Sequence, residues 1–213
     1  MATKPTLKSA ISHIEDAGIL LVYPIHNRKE PESLWSRFYP KTKMRWEWDS
    51  DGDNRVANLW ILREELSRSR KVVYSKWFQG RATFFSRSVF TSLLRLKGQE
   101  PVLSRQAQEI LHLLQDDSPL STKEIKLATD LRGRSLESVY TKAMKELWSQ
   151  FQIVGFGEKD DGAFPSLLAG ATSVIFEDLW LEAQELSLLE AQKIIDKKIK
   201  SAPALLRFLN KKA

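Results

Sequence analysis

Apolar positions recur with a helical period along much of the chain and switch to alternation in a few short runs. Leu7, Ala10, Ile11, Ile14 and Ala17 share one helical face, and Gly18 follows as a C-cap. Residues 19–24 form a short apolar run that predicts a strand, and residues 27–31 are polar and break structure. Ser33 then caps a short helix, ESLWSRFYP. Residues 44–49 alternate, with Met44, Trp46 and Trp48 on one face and Arg45, Glu47 and Asp49 on the other, the pattern of a strand. SDGDN is a turn or a helix entry. Leu59, Leu62 and Leu66 mark another helix, with Arg63, Arg68 and Arg70 near its end. Residues 71–78 and 81–85 flank Gln79-Gly80 and predict a hairpin. Ser86 opens a helix through Leu96, and Gly98 and Pro101 mark a boundary.

Residues 104–168 are the most informative stretch. An amphipathic run, SRQAQEILHLLQDD, is followed by a capped run, STKEIKLATD, the turn Leu131-Arg132-Gly133 and a third run, RSLESVYTKAMKELW. FQIVGFG, the charged turn EKDDG and AFPSLL close it. Helices and a hairpin in this order predict a winged helix, a nucleic-acid-binding module. In the third run Leu136, Val139, Ala143 and Leu147 form a buried stripe, which leaves Ser135, Ser138, Lys142 and Lys145 outside the core. Arg132 and Arg134 precede it, where free N–H groups and the helix dipole favour a phosphate. Small hydroxyls and spaced cations suit contacts to the DNA backbone. No Asn or Gln stands on that face for adenine readout, although Arg134 is able to read guanine. Lys159 in the wing is placed for a neighbouring phosphate, with Asp160 and Asp161 opposing it.

Residues 173–186 are helical by period. Ser187-Leu188-Leu189-Glu190 is a capping box that starts a helix to about Lys200. Pro203 sits in the first turn of a last helix, ALLRFLNKK. No internal repeat is visible.

The 213 residues suffice for one large domain or two small ones, with a core that needs no covalent staple. The absence of cysteine excludes disulfides, thiolate metal sites and Cys nucleophiles. No apolar run approaches membrane-span length, and MATKPTLKSA lacks a signal-peptide core, so a bacterial cytoplasmic protein is expected. A net charge of +6 favours an anionic partner mildly. The C-terminal end is more biased: Lys193, Lys197, Lys198, Lys200, Arg207, Lys211 and Lys212 stand against Asp196 alone, a pattern that also fits a solubilising face.

Two further constellations bear on chemistry. Trp46 and Trp48 are spaced to stack bases, although such a pair more often packs beneath a helix. Glu47 and Asp49 on the opposite face are the weak candidates for an acid and base pair, which requires a pocket that splits their pKa values. On the hairpin, Lys76 and Arg81 are candidate phosphate contacts. His13, His26 and His112 show no ligand spacing, so no metal is expected, and no nucleotide-cofactor motif is present.

These segments resemble a known family. Pro24-Ile25 and Leu34-Trp35-Ser36-Arg37 resemble the AlkZ (YcaQ-like) DNA glycosylases, which are tandem winged-helix proteins. Trp46-Glu47-Trp48, Tyr74-x-Lys76, Phe84-Phe85-Ser86 and the winged helix are similar to a shorter AlkZ-related group. The resemblance implies an α+β, mostly helical fold of tandem winged-helix elements with small β-hairpins, and duplex DNA, damaged DNA included, as the ligand. Catalysis in the glycosylases rests on a Gln-apolar-Asp triplet just before the Pro-Ile position. Here Leu21-Val22-Tyr23 occupies that place, and none of the three supplies a carboxylate.

The expected organisation is residues 1–100 as an N-terminal α+β glycosylase-related region, 101–170 as a winged helix and 171–213 as C-terminal helices packed on the body. The leading functional expectation is a non-catalytic DNA-binding protein with no cofactor. The alternatives are a divergent glycosylase acting through Glu47 or Asp49, and a winged-helix protein-interaction module.

Overall fold

The computed structural model describes residues 5–45, 54–99, 101–160, 162 and 165–210. Trp46, Glu47, Trp48 and Asp49 lie outside the described residues, as does Asp161 of the expected wing turn.

Local chemistry sets the helix starts. Thr6 and Ser9 form a capping box for α1 (Leu7–Ala17), and Gly18 ends it at φ 78°. Strand β1 (Ile19–Leu21) follows and stops short of the expected Pro24. Ser33 caps α2 (Leu34–Phe38). Then come α3 (Asn54–Arg68), β2 (Val72–Ser75) and β3 (Thr83–Ser86). The last two pair as the expected hairpin, with Val72 opposite Ser86 and Ser75 opposite Thr83. Gln79 and Gly80 take φ 54° and 71°, and the Arg81 N–H donates to the Phe78 carbonyl at 3.0 Å, so this dipeptide does make the turn. The strands end before it because Trp77 leaves the ladder to pack on Phe85, Phe151 and Phe208. Ser86 caps α4 (Arg87–Leu93), which runs on as a π-helical turn to Gly98.

The second half repeats this order. Ser104 caps α5 (Arg105–Asp116); β4 (Leu120–Ser121) and α6 (Thr122–Ala128) follow, with Ser121 and Glu124 as a capping box. Next are α7 (Glu137–Ser149), β5 (Ile153–Lys159) and β6 (Ser166–Ala171). Each half therefore runs helix, strand, two helices, two strands, and in each the first strand pairs with the last. The repeat lies in topology, which is why no sequence repeat reveals it. The single helix expected over 173–186 divides into α8 (Thr172–Ile175) and α9 (Glu177–Glu185), because Phe176 turns out of helical geometry and into the core. Helices α10 (Leu188–Ile199) and α11 (Pro203–Leu209) close the chain.

All strands join one antiparallel sheet in the order β1-β3-β2-β5-β6-β4, which reads the same from either edge. The halves meet where Tyr74 of β2 stands opposite Gly155 of β5. Strand alternation divides the core. Ile19, Leu21, Val73, Phe85 and Val154 point to one face, under α4 and α9–α11. Leu20, Val72, Tyr74 and Phe84 point to the other, under α1–α3. Ile153 and Ala169 share that second face, beneath α5 and α7. Helices thus cover both faces, and the strands of the first half are buried throughout rather than in alternation. The fold is α+β and mostly helical. No helix among the described residues is long and apolar enough to cross a membrane.

Candidate nucleic-acid interface

Helix α7 carries most of the residues singled out from the sequence. Its buried side is Tyr140, Ala143, Met144, Leu147 and Trp148, with Leu136 and Val139 half-buried at its start. The stripe is therefore rotated toward the aromatic positions. Ser138, Lys142 and Lys145 remain exposed on the helix, and Arg132, Arg134 and Ser135 are exposed in the connection before it. No side chain caps α7, so its first-turn N–H groups are left for solvent or an anion. Lys126 of α6 is paired with Glu137 at 2.6 Å and ties that end down. Arg132, Arg134, Lys142 and Lys145 form no ion pair among the described residues.

The wing lysine is placed differently. Lys159 pairs with Glu124 at 2.5 Å, and Glu124 also accepts from the Ser121 N–H in the capping box of α6. To reach a phosphate, Lys159 must leave that carboxylate. The lysine bond and the Ser121 bonds hold Glu124 down at about 2, against an ordinary 4.5. A carboxylate with a depressed folded pKa stabilises the fold above its unfolded pKa, and loses that contribution as pH falls through the folded value. Glu124→Gln is therefore expected to cost about 0.5–1 kcal/mol at pH 7, the half-exposed pair being screened. In urea unfolding, the gap between variant and wild type should close between about pH 5 and pH 1. A gap that persists undiminished at about pH 1 counts against the pair.

The structure brings Lys76 of the first hairpin to Lys145 of α7. Both line a cavity of about 640 Å³. The hairpin loop contributes Trp77, Gln79 and Gly80; α7 contributes Tyr140, Met144 and Trp148. Lys76 is half-buried, and Arg81 beside the loop is exposed. Burial lowers the Lys76 amine below its ordinary value, with nearby Arg63 acting in the same direction and Glu158 against it. Arg63 itself is buried on α3 and forms an ion pair with Glu158 on β5. Its guanidinium carbon lies 3.9 Å from the Trp60 ring centroid. This pair crosses between the halves, from α3 to β5.

Sequence reasoning missed a second basic region. Arg28, Lys29, Lys41 and Lys43 line a cleft of about 210 Å³ around Trp35 and Tyr39. Asn27 braces it, donating to the Met44 carbonyl at 3.0 Å and accepting from the Met44 N–H at 2.6 Å. The available signal was the pair of cationic clusters NRK and KTK in adjacent loops. The residues that resemble the glycosylases are structural in this region. Trp35 donates to the Thr42 carbonyl at 2.9 Å, and Arg37 pairs with Asp16 and Glu32. At the triplet position Leu21 and Val22 are core, while the Tyr23 hydroxyl donates to the Val56 carbonyl at 2.9 Å. Burial pushes the Tyr23 phenol up to about 12, so it holds no negative charge at neutral pH. No group of three or more His, Cys, Asp or Glu among the described residues is placed to hold a metal ion.

No curated protein and no solved structure matches the chain. A family model described as AlkZ related matches residues 5–205, nearly the whole length. The chain belongs to the AlkZ-related family.

Proposed function

We propose that the protein binds duplex DNA, damaged DNA included, through α7 and the adjoining hairpin loop, on a glycosylase-like frame that no longer excises bases. On this reading each half of the sheet serves as a winged helix, and α7 is the helix that meets DNA. The observation that carries it is the face of α7, where Lys142 and Lys145, preceded by Arg132 and Arg134, make no ion pairs among the described residues while other surface cations do. Ser135 and Ser138 add small donors for phosphate oxygens, and Lys76 and Arg81 extend the cationic line onto the hairpin. Family membership supports DNA as the partner. Loss of excision follows from Tyr23, a neutral, hydrogen-bonded phenol where the related glycosylases place a carboxylate.

The test is duplex affinity as a function of salt. If the four cations at α7 each neutralise one phosphate, log affinity falls by about 3.6 per log unit of salt. Arg134→Glu should weaken binding at every sequence and flatten that slope by about 1, with an unchanged melting temperature. A flat salt profile, or an Arg134→Glu variant that binds as wild type does, removes α7 as the interface.

A further inference from the structure

We propose that Lys76 is an amine nucleophile that captures the ring-opened sugar aldehyde of an abasic site in DNA, by forming a Schiff base in the cavity between the first hairpin and α7. The proposal rests on the DNA-binding reading above and adds a covalent activity to it.

Three observations converge on this cavity. Lys76 lines it half-buried, and makes no ion pair or hydrogen bond among the described residues. A lysine attacks only as the neutral amine, and amines reach that form by losing solvent and by standing near another cation. Burial acts on the Lys76 amine first, Arg63 on α3 acts in the same direction, and Glu158 on β5, the ion-pair partner of Arg63, acts against both. The second observation is Tyr140. It is 6% exposed and lines the same cavity, with its hydroxyl beside the Thr122 side chain, another residue of the lining. The third is the lining. Trp77, Met144, Trp148, Leu167 and Phe208 make the walls largely apolar, and Lys145 is a second cation on them. The cavity is within the size range of small-molecule sites.

An abasic nucleotide fits these features together. It has lost its base, so it enters at a lower unstacking cost than an intact nucleotide, and its ring-opened form presents an aldehyde carbon flanked by phosphates. The Lys76 Nζ lone pair attacks C1′, a C–N bond forms as the carbonyl π pair moves to oxygen, and one of the two amine protons passes to that oxygen. A proton taken from solvent lets the carbinolamine hydroxyl leave as water, and the nitrogen lone pair closes the C=N bond of the iminium, which keeps the other amine proton. No oxidant or metal is required. Lys145 is placed for a flanking phosphate, and the Tyr140 hydroxyl for a sugar or phosphate oxygen.

Borohydride trapping on the full-length protein tests this. A duplex with one abasic site and an intact control duplex are each incubated with protein and then reduced, which delivers hydride to C1′ and fixes a secondary amine. The expected result is a covalent complex with abasic duplex only, and a peptide adduct mapped to Lys76. Lys76→Arg keeps the charge and is expected to abolish the adduct. Lys145→Ala is expected to keep the adduct and to weaken binding. An adduct that maps to another amine, or that survives in Lys76→Arg, overturns the proposal. Duplex binding with no adduct also overturns it and leaves the DNA-binding reading standing. Absence of both removes the two together.

Discussion

Arg63→Ala is expected to cost about 3–5 kcal/mol of unfolding free energy, because it breaks a buried ion pair. The side chains of Arg63 and Glu158 are 7% and 10% exposed. Removing the guanidinium leaves a buried carboxylate without its counter-ion, and also strips the cation from the Trp60 ring. Among the described residues the Arg63 Nε has no hydrogen-bond partner, so the pair is held by one ionic contact and by the Trp60 and Tyr74 rings, whose centroids lie 3.9 and 6.0 Å from the guanidinium carbon. Such pairs specify more than they stabilise, and replacing both partners by apolar groups is often neutral. Arg63→Met combined with Glu158→Leu should therefore unfold within about 1 kcal/mol of wild type in urea. A single Arg63→Ala that costs less than about 1 kcal/mol would mean that water reaches the pair.

The second large effect is expected at Gly155. A Cβ there would sit 2.1 Å from Tyr74 Cδ1, 2.7 Å from Cε1 and 3.2 Å from Leu167 Cδ1. Tyr74 is fully buried among Leu66, Val72 and Phe84, so its ring has no room to withdraw. Gly155→Ala must push β5 away from β2 at the register position that joins the halves. Overpacking of this kind costs about 1–3 kcal/mol or more, and calorimetry should show a lower melting temperature, accompanied by earlier separation of the halves. Gly155→Ala with Tyr74→Leu opens space beside the new methyl and is expected to recover part of the loss. An alanine variant that melts as wild type does would show that the two strands are not held together there.

Both effects arise from contacts that the sequence could not disclose. Helix starts were legible because capping is local: Ser104, Ser121, and Ser187 with Glu190 announce their helices within four residues. The hairpin turn at Gln79-Gly80 and the exposed positions of α7 were legible for the same reason. The joining of β2 to β5 was not, since it depends on one register position between residues 81 apart in the chain, Tyr74 and Gly155. The burial of Arg63 was hidden likewise, because its partner lies 95 residues away and the helix around it looks like an ordinary charged surface. Of the candidate interface, individual cations were visible in the sequence. The cavity was not, because it needs Lys76 from one half and α7 from the other. The stripe of α7 was misjudged by a fraction of a turn, since Tyr140 and Trp148 carry more apolar area than the Leu and Val positions that suggested the period.

The palindromic sheet places its shortest strands outermost. Strand β1 has three residues and β4 has two, and Leu21 of β1 is bridged by Ser33. Little backbone is therefore left at either rim to template pairing with another molecule. A basic protein that crowds along a polyanion raises its own local concentration many-fold, conditions under which long open strand edges invite fibrous association. By spending its long strands in the middle and its stubs at the rims, this chain offers such association little edge to start from, however concentrated it becomes.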